Sequence, residues 1–246
     1  MAPFARSLVP VERQSLNHVA ADKLREVIVT GDIPPGTRLI EVELANHLNL
    51  SRGTIRAALH ALVGEGLIVQ RPPVGWEVVS LTSTDAWELY TLRAALEALA
   101  ARLAAENDDP GKRQVLDEAF RALKAAATTN DAKAITDADL SLHKTIVSLS
   151  GHRRLVDQYA LVEQQVRMYI ASTNARLQDR RMVVQEHAPL VRAVQKGDAE
   201  ASERLAREHS THAGRDLVEH LKRIEHERSE EADLRLGARR KVGSPP

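Results

Sequence analysis

Apolar residues recur at helical spacing along most of this chain, with one interruption near residue 70. Val19, Leu24, Val27 and Ile28 share one face of a segment over 16–30 that Gly31 stops. Leu44, Ala45 and Leu48 form a second, shorter face. After the polar joint Asn49-Leu50-Ser51-Arg52, Ile55, Leu59 and Leu62 repeat at i, i+4, i+7 with Ala58 beside them. Ser51 stands where an N-cap oxygen holds the free amides of a new helix, and Gly64 and Gly66 mark that helix's end. The period then changes: 68–71 and 76–79 read as short strands around Pro72-Pro73-Val74-Gly75. Helix, tight turn, helix and hairpin make a winged helix-turn-helix pattern.

From Thr82 the pattern is helical again. Thr82 and Asp85 fit a capping pair that opens a helix to about 105, with Leu89, Leu92, Leu96, Leu99 and Leu103 as its apolar stripe. Asn107-Asp108-Asp109-Pro110-Gly111 breaks it. Further helices are expected over 111–127 (Val115, Ala119, Ala122 and Leu123 inward), 132–149, 153–176, 179–196 and 199–225. Only Gly197-Asp198, a stop and a cap, separates the last two. The expected fold is therefore mostly α, a winged helix-turn-helix domain over 15–80 and an all-α six-helix bundle over 81–225. Residues 1–14 read as a flexible arm. From 226 to 246 charges alternate without an apolar stripe, which reads as a disordered tail.

Composition narrows this picture only a little. Aromatics are 3% of the 246 residues, and alanine and leucine are prominent, which favours helix. There are no cysteines, which excludes disulfides and thiolate metal sites. No apolar run approaches the ~18–20 residues of a membrane span, and the start lacks a signal-peptide core, so a cytoplasmic location without membrane contact is expected. Lys+Arg and Asp+Glu are both 34, which argues against a coater of nucleic acid by bulk charge but leaves room for a reader with a few placed arginines.

Two sets of residues carry chemistry. Arg52, Thr54 and Arg56 occupy the polar leading end of the second helix of the pair, where guanidinium forks and a hydroxyl suit phosphates and guanine edges. Arg71 and the backbone at Gly75 stand at the wing tip. In the helical part, Asp139 and His143 lie four apart, flanking the stripe of Ile135, Leu142, Ile146 and Leu149. His187 lies ten residues before Gly197 and His209 eleven after Asp198. If the last two helices fold back on each other, both histidines stand ~15 Å from the turn, at one level. Three imidazoles and a carboxylate make a site for a divalent metal: zinc first, or nickel or manganese. His212 and His220 on the last helix compete for the same role.

The chain resembles a known family in both parts. Gly31-Asp32-Ile33-Pro34-Pro35-Gly36-Thr37-Arg38-Leu39, then Glu41, Leu44-Ala45, Leu50-Ser51-Arg52, Ile55-Arg56-Ala57-Ala58-Leu59, Leu62, Glu65-Gly66-Leu67 and Gly75 resemble the N-terminal domain of GntR-type bacterial transcription regulators. The resemblance implies operator contacts from Arg52 and Arg56, within a candidate DNA-binding set of Arg38, Ser51, Arg52, Thr54, Arg56, Arg71 and Gly75. Some fatty-acid-responsive members carry a further arginine where this chain has Val42, so their operator does not transfer. Asp139-Leu140-Ser141-Leu142-His143, Gly151, Glu186-His187, Gly197-Asp198-Ala199-Glu200-Ala201 and His209 resemble the FCD-type effector domain of the FadR subfamily, in its six-helix, vanillate-regulator-like branch. That resemblance singles out Asp139, His143, His187 and His209 as metal ligands, although His152 stands where asparagine is common. Arg93 and Glu97 match the family's Arg-x-x-x-Glu. An arginine near a metal can clamp a carboxylate bidentately, so Arg93, with Arg167 and Asn174, is a candidate effector contact.

The expected protein is a transcriptional repressor and not an enzyme, a homodimer on double-stranded operator DNA that binds a divalent metal and a small carboxylate. Two alternatives stand beside it: a metal-dependent hydrolase fused to a DNA-binding head, and a helical domain with a purely structural metal.

Overall fold

The computed structural model describes the backbone of residues 16–73, 75–129, 131–173 and 180–242, and side chains within these except for 172–181 and beyond 229. The arm expected over 1–14 lies outside the described residues. The chain divides into two compact units, one of α1 with Asp32–Val79 and the other of Ser80 onward with Val29–Gly31.

The first unit runs α1 (Leu16–Val29), β1 (Arg38–Leu39), α2 (Glu41–Leu48), α3 (Arg52–Gly64), β2 (Ile68–Arg71) and β3 (Gly75–Val78). Ile28, Ile55, Leu59, Leu62, Leu67 and Val78 are sealed from solvent and form its core. The turn between α2 and α3 is tight because Asn49 takes a left-handed conformation, φ 52°, which asparagine tolerates better than most residues. Ser51 Oγ then accepts the Thr54 N–H at 3.1 Å and caps α3. Arg25 of α1 grips Glu65, just past α3, with two bonds of 2.6 Å. The hairpin registers Ile68 with Val78 and Arg71 with Gly75. β1, absent from the sequence reading, adds a third strand by pairing Arg38 with Glu77 and Leu39 with Trp76. Two residues carry no readable alternation, so only the partner strand reveals it.

The second unit comprises α4 (Ser83–Glu106), α5 (Lys112–Ala126), α6 (Ala132–Leu149), α7 (Arg153–Thr173), α8 (Arg180–Lys196) and α9 (Ala199–Val242). None of the described helices is long and apolar enough to cross a membrane. α4 and α9 run antiparallel along their length: Arg102 meets Glu203 at 3.0 Å, Ser210 donates to Glu97, and Ser83 donates through N and Oγ to Glu225 at 2.7 and 2.8 Å.

Three expectations are corrected here. The α4 leucines do not all face the core: Leu92 and Leu99 are 52% and 43% exposed, while Tyr90, Arg93, Ala94, Glu97, Ala98, Ala101 and Ala104 point inward. Leucine spacing identified a face, but the inward face is the one that small residues let α9 approach closely. On α5, Leu116, Phe120 and Leu123 are buried, and Val115 is exposed. The segment read as a disordered tail from 226 continues α9 to Val242. Its many Glu, Arg, Ala and Leu residues favour helix without needing an apolar stripe.

The bundle's core is layered. One apolar cluster joins Ala86, Leu89 and Tyr90 of α4 to Leu140, Val166, Tyr169 and Leu217. A second joins Ala101 and Ala104 to Leu116, Phe120, Leu142, Val194 and Ala206. Between these stretches of α4 lie Arg93 and Glu97. At the α4–α9 contact, a Cβ added to Gly214 would sit 2.6 Å from Tyr90 Cβ, an atom that no rotamer change can move. Gly214→Ala is therefore expected to cost ~1–3 kcal/mol by overpacking, even after alanine's gain in helix propensity. Urea unfolding followed by circular dichroism reads this directly, and a stabilised variant would refute the close contact.

Candidate functional site

The polar layer of the helical unit is built by four helices. α4 supplies Arg93 and Glu97, α6 supplies Asp139 and His143, α8 supplies His187, and α9 supplies His209 and Ser210. Asp198 Oδ1 accepts the Ala201 N–H at 3.0 Å and starts α9 immediately after the turn, so α8 and α9 do fold back on each other. The three histidines gather: their candidate ligand atoms lie within 4.8 Å of one another. His143 Nε2 is 2.9 Å from His187 Nε2, and Asp139 Oδ1 is 3.1 Å from His187 Nε2 and 4.0 Å from His143 Nε2.

Hydrogen-bond partners fix which ring nitrogen carries the proton. His143 Nδ1 is 3.2 Å from Glu97 Oε2, and His187 Nδ1 is 2.6 Å from the Val183 carbonyl oxygen. An ionised carboxylate and a carbonyl can only accept, so each Nδ1 holds its proton and each Nε2 offers a lone pair. Two lone pairs and a carboxylate oxygen thus face one another across 2.9–4.0 Å. His209 adds a third nitrogen, and its Nε2 is buried with no hydrogen-bond partner. Extra protons are disfavoured there. Burial pushes the His143 pKa down, and burial with the neighbouring His187 and His143 pushes that of His209 well down. A donor set of this kind suits a divalent cation, since nitrogens each ~2.0–2.1 Å from one ion lie ~2.9–3.4 Å apart.

Glu97 orients this set. Its Oε1 accepts from Arg93 Nε and Tyr159 Oη, both at 2.7 Å, and its Oε2 accepts from Ser210 Oγ and His143 Nδ1. Burial opposes its charge, but Arg93, His143 and Ser210 outweigh burial and hold the carboxyl well below the usual range. A carboxylate behind a ligating histidine is the arrangement that fixes tautomer and ring orientation in metal sites. Tyr159 and Ser210 were not legible as site residues, because Tyr159 fits an apolar stripe and nothing in the sequence aligns α7 with α4.

Arg93 is fully buried, and its two terminal nitrogens have no hydrogen-bond partner. A cavity of about 760 Å³ opens beside the site, lined by Tyr90, Asp137, Asp139, Arg167, Met182 and His209 among others. Arg167 is on its wall but already engaged by Asp137, with Glu163 at 3.7 Å. Asn174 lies outside the described residues. The competing His212 and His220 also line the cavity, yet neither joins the cluster of three.

In the winged unit, Arg52 and Arg56 are 63% and 53% exposed at the start of α3. Arg56 is tied to Glu41 by two bonds. Ser51 Oγ and Thr54 Oγ1 are 2.8 Å apart, so both hydroxyls serve the helix cap. Arg38 is exposed on β1, and Arg71 is exposed beside Gly75, whose φ of 100° makes the wing turn a glycine position.

Comparison with known proteins covers both units. Residues 16–78 match the model of bacterial regulatory proteins of the gntR family, and residues 88–212 match the FCD domain. The "Probable D-xylose utilization operon transcriptional repressor" of Paenarthrobacter nicotinovorans is 31% identical over 195 residues, covering 77% of this chain and 84% of that protein. The gluconate operon transcriptional repressor of Bacillus licheniformis is 27% identical, covering 76% of this chain and 79% of its own. A solved Rhodococcus sp. RHA1 structure, assigned to the GntR transcriptional regulators, shares the fold with a TM-score of 0.72 at 23% identity. It covers 83% of this chain and 98% of that one.

Replacing Glu97 by glutamine keeps its volume and leaves a buried arginine without an anion. Such a loss is expected to cost ~3–5 kcal/mol of unfolding free energy, measurable by urea titration. Wild-type stability in Glu97→Gln would show that Arg93 finds its compensation elsewhere.

Proposed function

As the chain belongs to the GntR family of bacterial transcriptional regulators and carries an FCD domain, we propose that it is a cytoplasmic homodimeric repressor governed by a small carboxylate and a divalent metal. The convergence of His143, His187 and His209, with Asp139 beside them, is the observation that supports the metal. Those four residues would hold it, and the ion would supply a Lewis-acid anchor for a carboxylate. Zinc, nickel and manganese all accept these donors, and zinc is the first choice.

The chain's own residues do the rest. Arg93 offers two buried N–H-bearing nitrogens that want an anion, and the cavity that reaches Asp139 and His209 has room for a small organic acid. Arg167 joins only by yielding part of its hold on Asp137. Asn174, outside the described residues, stays in the proposed set. Arg93 and Glu97 sit on α4, which only four residues separate from β3, so an effector that draws on Arg93 acts on the helix next to the reading head in the chain. To change operator binding it must bind one placement of the two heads better than the other. On the DNA side, Arg52, Arg56 and Thr54 read or clamp the major groove, with Arg38, Arg71 and Gly75 at its flanks and Ser51 holding the helix start.

The relatives are transcriptional regulators, not enzymes, and so is this chain. The exposed Leu92 and Leu99, with Ala95 between them on α4, support a second copy as partner. Leu92→Glu with Leu99→Glu is expected to shift the protein from dimer to monomer in sedimentation while leaving helix content unchanged. Unchanged mass would place the interface elsewhere.

The reading is tested by thermal unfolding of metal-loaded protein against a panel of small carboxylates, with His187→Ala alongside. An acid present at ~100 times its Kd is expected to add ~2.7 kcal/mol, and the variant to lose both metal and response. Metal retained by His187→Ala would refute the ligand set. Melting on chelation with no acid response and unchanged DNA binding would favour the structural metal.

A further inference from the structure

Glu41 opens α2, yet its carboxylate belongs to the reading head. Oε1 accepts Arg56 Nε at 2.8 Å and Oε2 accepts Arg56 Nη2 at 2.7 Å, so the guanidinium is held side-on. Oε1 also accepts the indole N–H of Trp76 at 3.0 Å. Trp76 is buried in β3 and stands edge-on to His60, one turn beyond Arg56, with ring centroids 4.8 Å apart. Three elements, α2, α3 and β3, therefore fix one guanidinium plane.

We propose that Glu41 is a specificity-determining positioning residue, which locks Arg56 so that its free edge is presented to a guanine in the operator. The proposal rests on the reading of Arg56 as a DNA contact. Arginine has five N–H groups, and Glu41 takes two of them along one edge. The opposite, end-on edge pairs Nη1 with the second N–H of Nη2. Those two donors are parallel and coplanar, and they match the adjacent O6 and N7 acceptors that guanine shows in the major groove. A phosphate accepts a mobile arginine through either edge, so a pre-set plane gains nothing there. It matters for a planar pair of acceptors, where holding the side chain in one rotamer removes an ordering cost from binding. The ion pair is exposed on the arginine side and contributes little to stability in itself, which leaves orientation as its use.

The test selects binding sequences from a duplex library with a randomised core, using the full-length protein and its variants Glu41→Gln, Arg56→Ala and Trp76→Phe. Wild type is expected to fix a guanine at one position by ~10-fold or more. Glu41→Gln and Arg56→Ala reduce that preference to within ~2-fold and leave the other positions as they were. Affinity of Glu41→Gln for mixed-sequence duplex is unchanged or higher, because a negative charge near the phosphates is gone. Trp76→Phe keeps an aromatic ring at the buried position while removing the donor and part of the indole, so a partial loss confined to the same position carries the test even where Glu41→Gln fails to fold. An unchanged profile in Glu41→Gln and Trp76→Phe overturns the proposal, as does uniform weakening at every position and on mixed DNA, which marks a structural brace. A guanine preference that survives in Arg56→Ala removes Arg56 from base reading. No enrichment by the wild type overturns the operator-binding reading beneath it.

Discussion

A buried carboxylate must find a counter-charge and hydrogen-bond donors nearby, and in the helical unit Glu97 finds them on four other side chains. Arg93 comes from its own helix, His143 from α6, Tyr159 from α7 and Ser210 from α9. Charge compensation in a dry interior is short-ranged and directional, so these partners align their helices more narrowly than apolar contact does. The two apolar clusters on either side press the layers together. Between them, Glu97 decides which way the His143 ring faces, and so where its lone pair points.

The winged unit repeats the device on its surface. Glu41 stands behind Arg56 as Glu97 stands behind His143, each an acceptor that limits a functional group to one orientation. The surroundings set the difference in weight. Arg56 holds Glu41 with two bonds and lowers its pKa to about 2, yet the pair meets solvent, whereas Arg93 and Glu97 have no solvent to fall back on. One pair orients at little energetic cost and the other is bound up with the stability of the unit.

Local and periodic features were legible in the sequence. The α2–turn–α3 unit, the hairpin, the six helical segments and the Ser51, Thr82 and Asp198 caps all follow from short-range spacing. The convergence of His187 and His209 followed from one inference, that Gly197-Asp198 folds α8 back onto α9. What the sequence hid was long-range or rotational. The five-leucine stripe of α4 named a plausible core face, but the helix turns alanines inward and leaves Leu92 and Leu99 outside. Tyr159 and Ser210 reach Glu97 across 62 and 113 residues, and no periodicity encodes such a meeting. Similarly, a two-residue strand such as β1 exists only because β3 offers it hydrogen bonds.

The pairing of α4 with α9 also bears on synthesis. These are the first and last helices of their unit, yet they lie side by side, and Glu225 of the last one binds the starting amide of the first. A ribosome releases the winged unit complete once residue 79 has cleared the exit. The helical unit at that moment lacks the partner for its opening helix and keeps lacking it for more than a hundred residues. Tyr90, Arg93 and Glu97 must wait for α9 before the inner face of α4 closes. The nascent chain thus acquires its winged unit well before its FCD domain can close, and the C-terminal helix is the part whose arrival completes that domain.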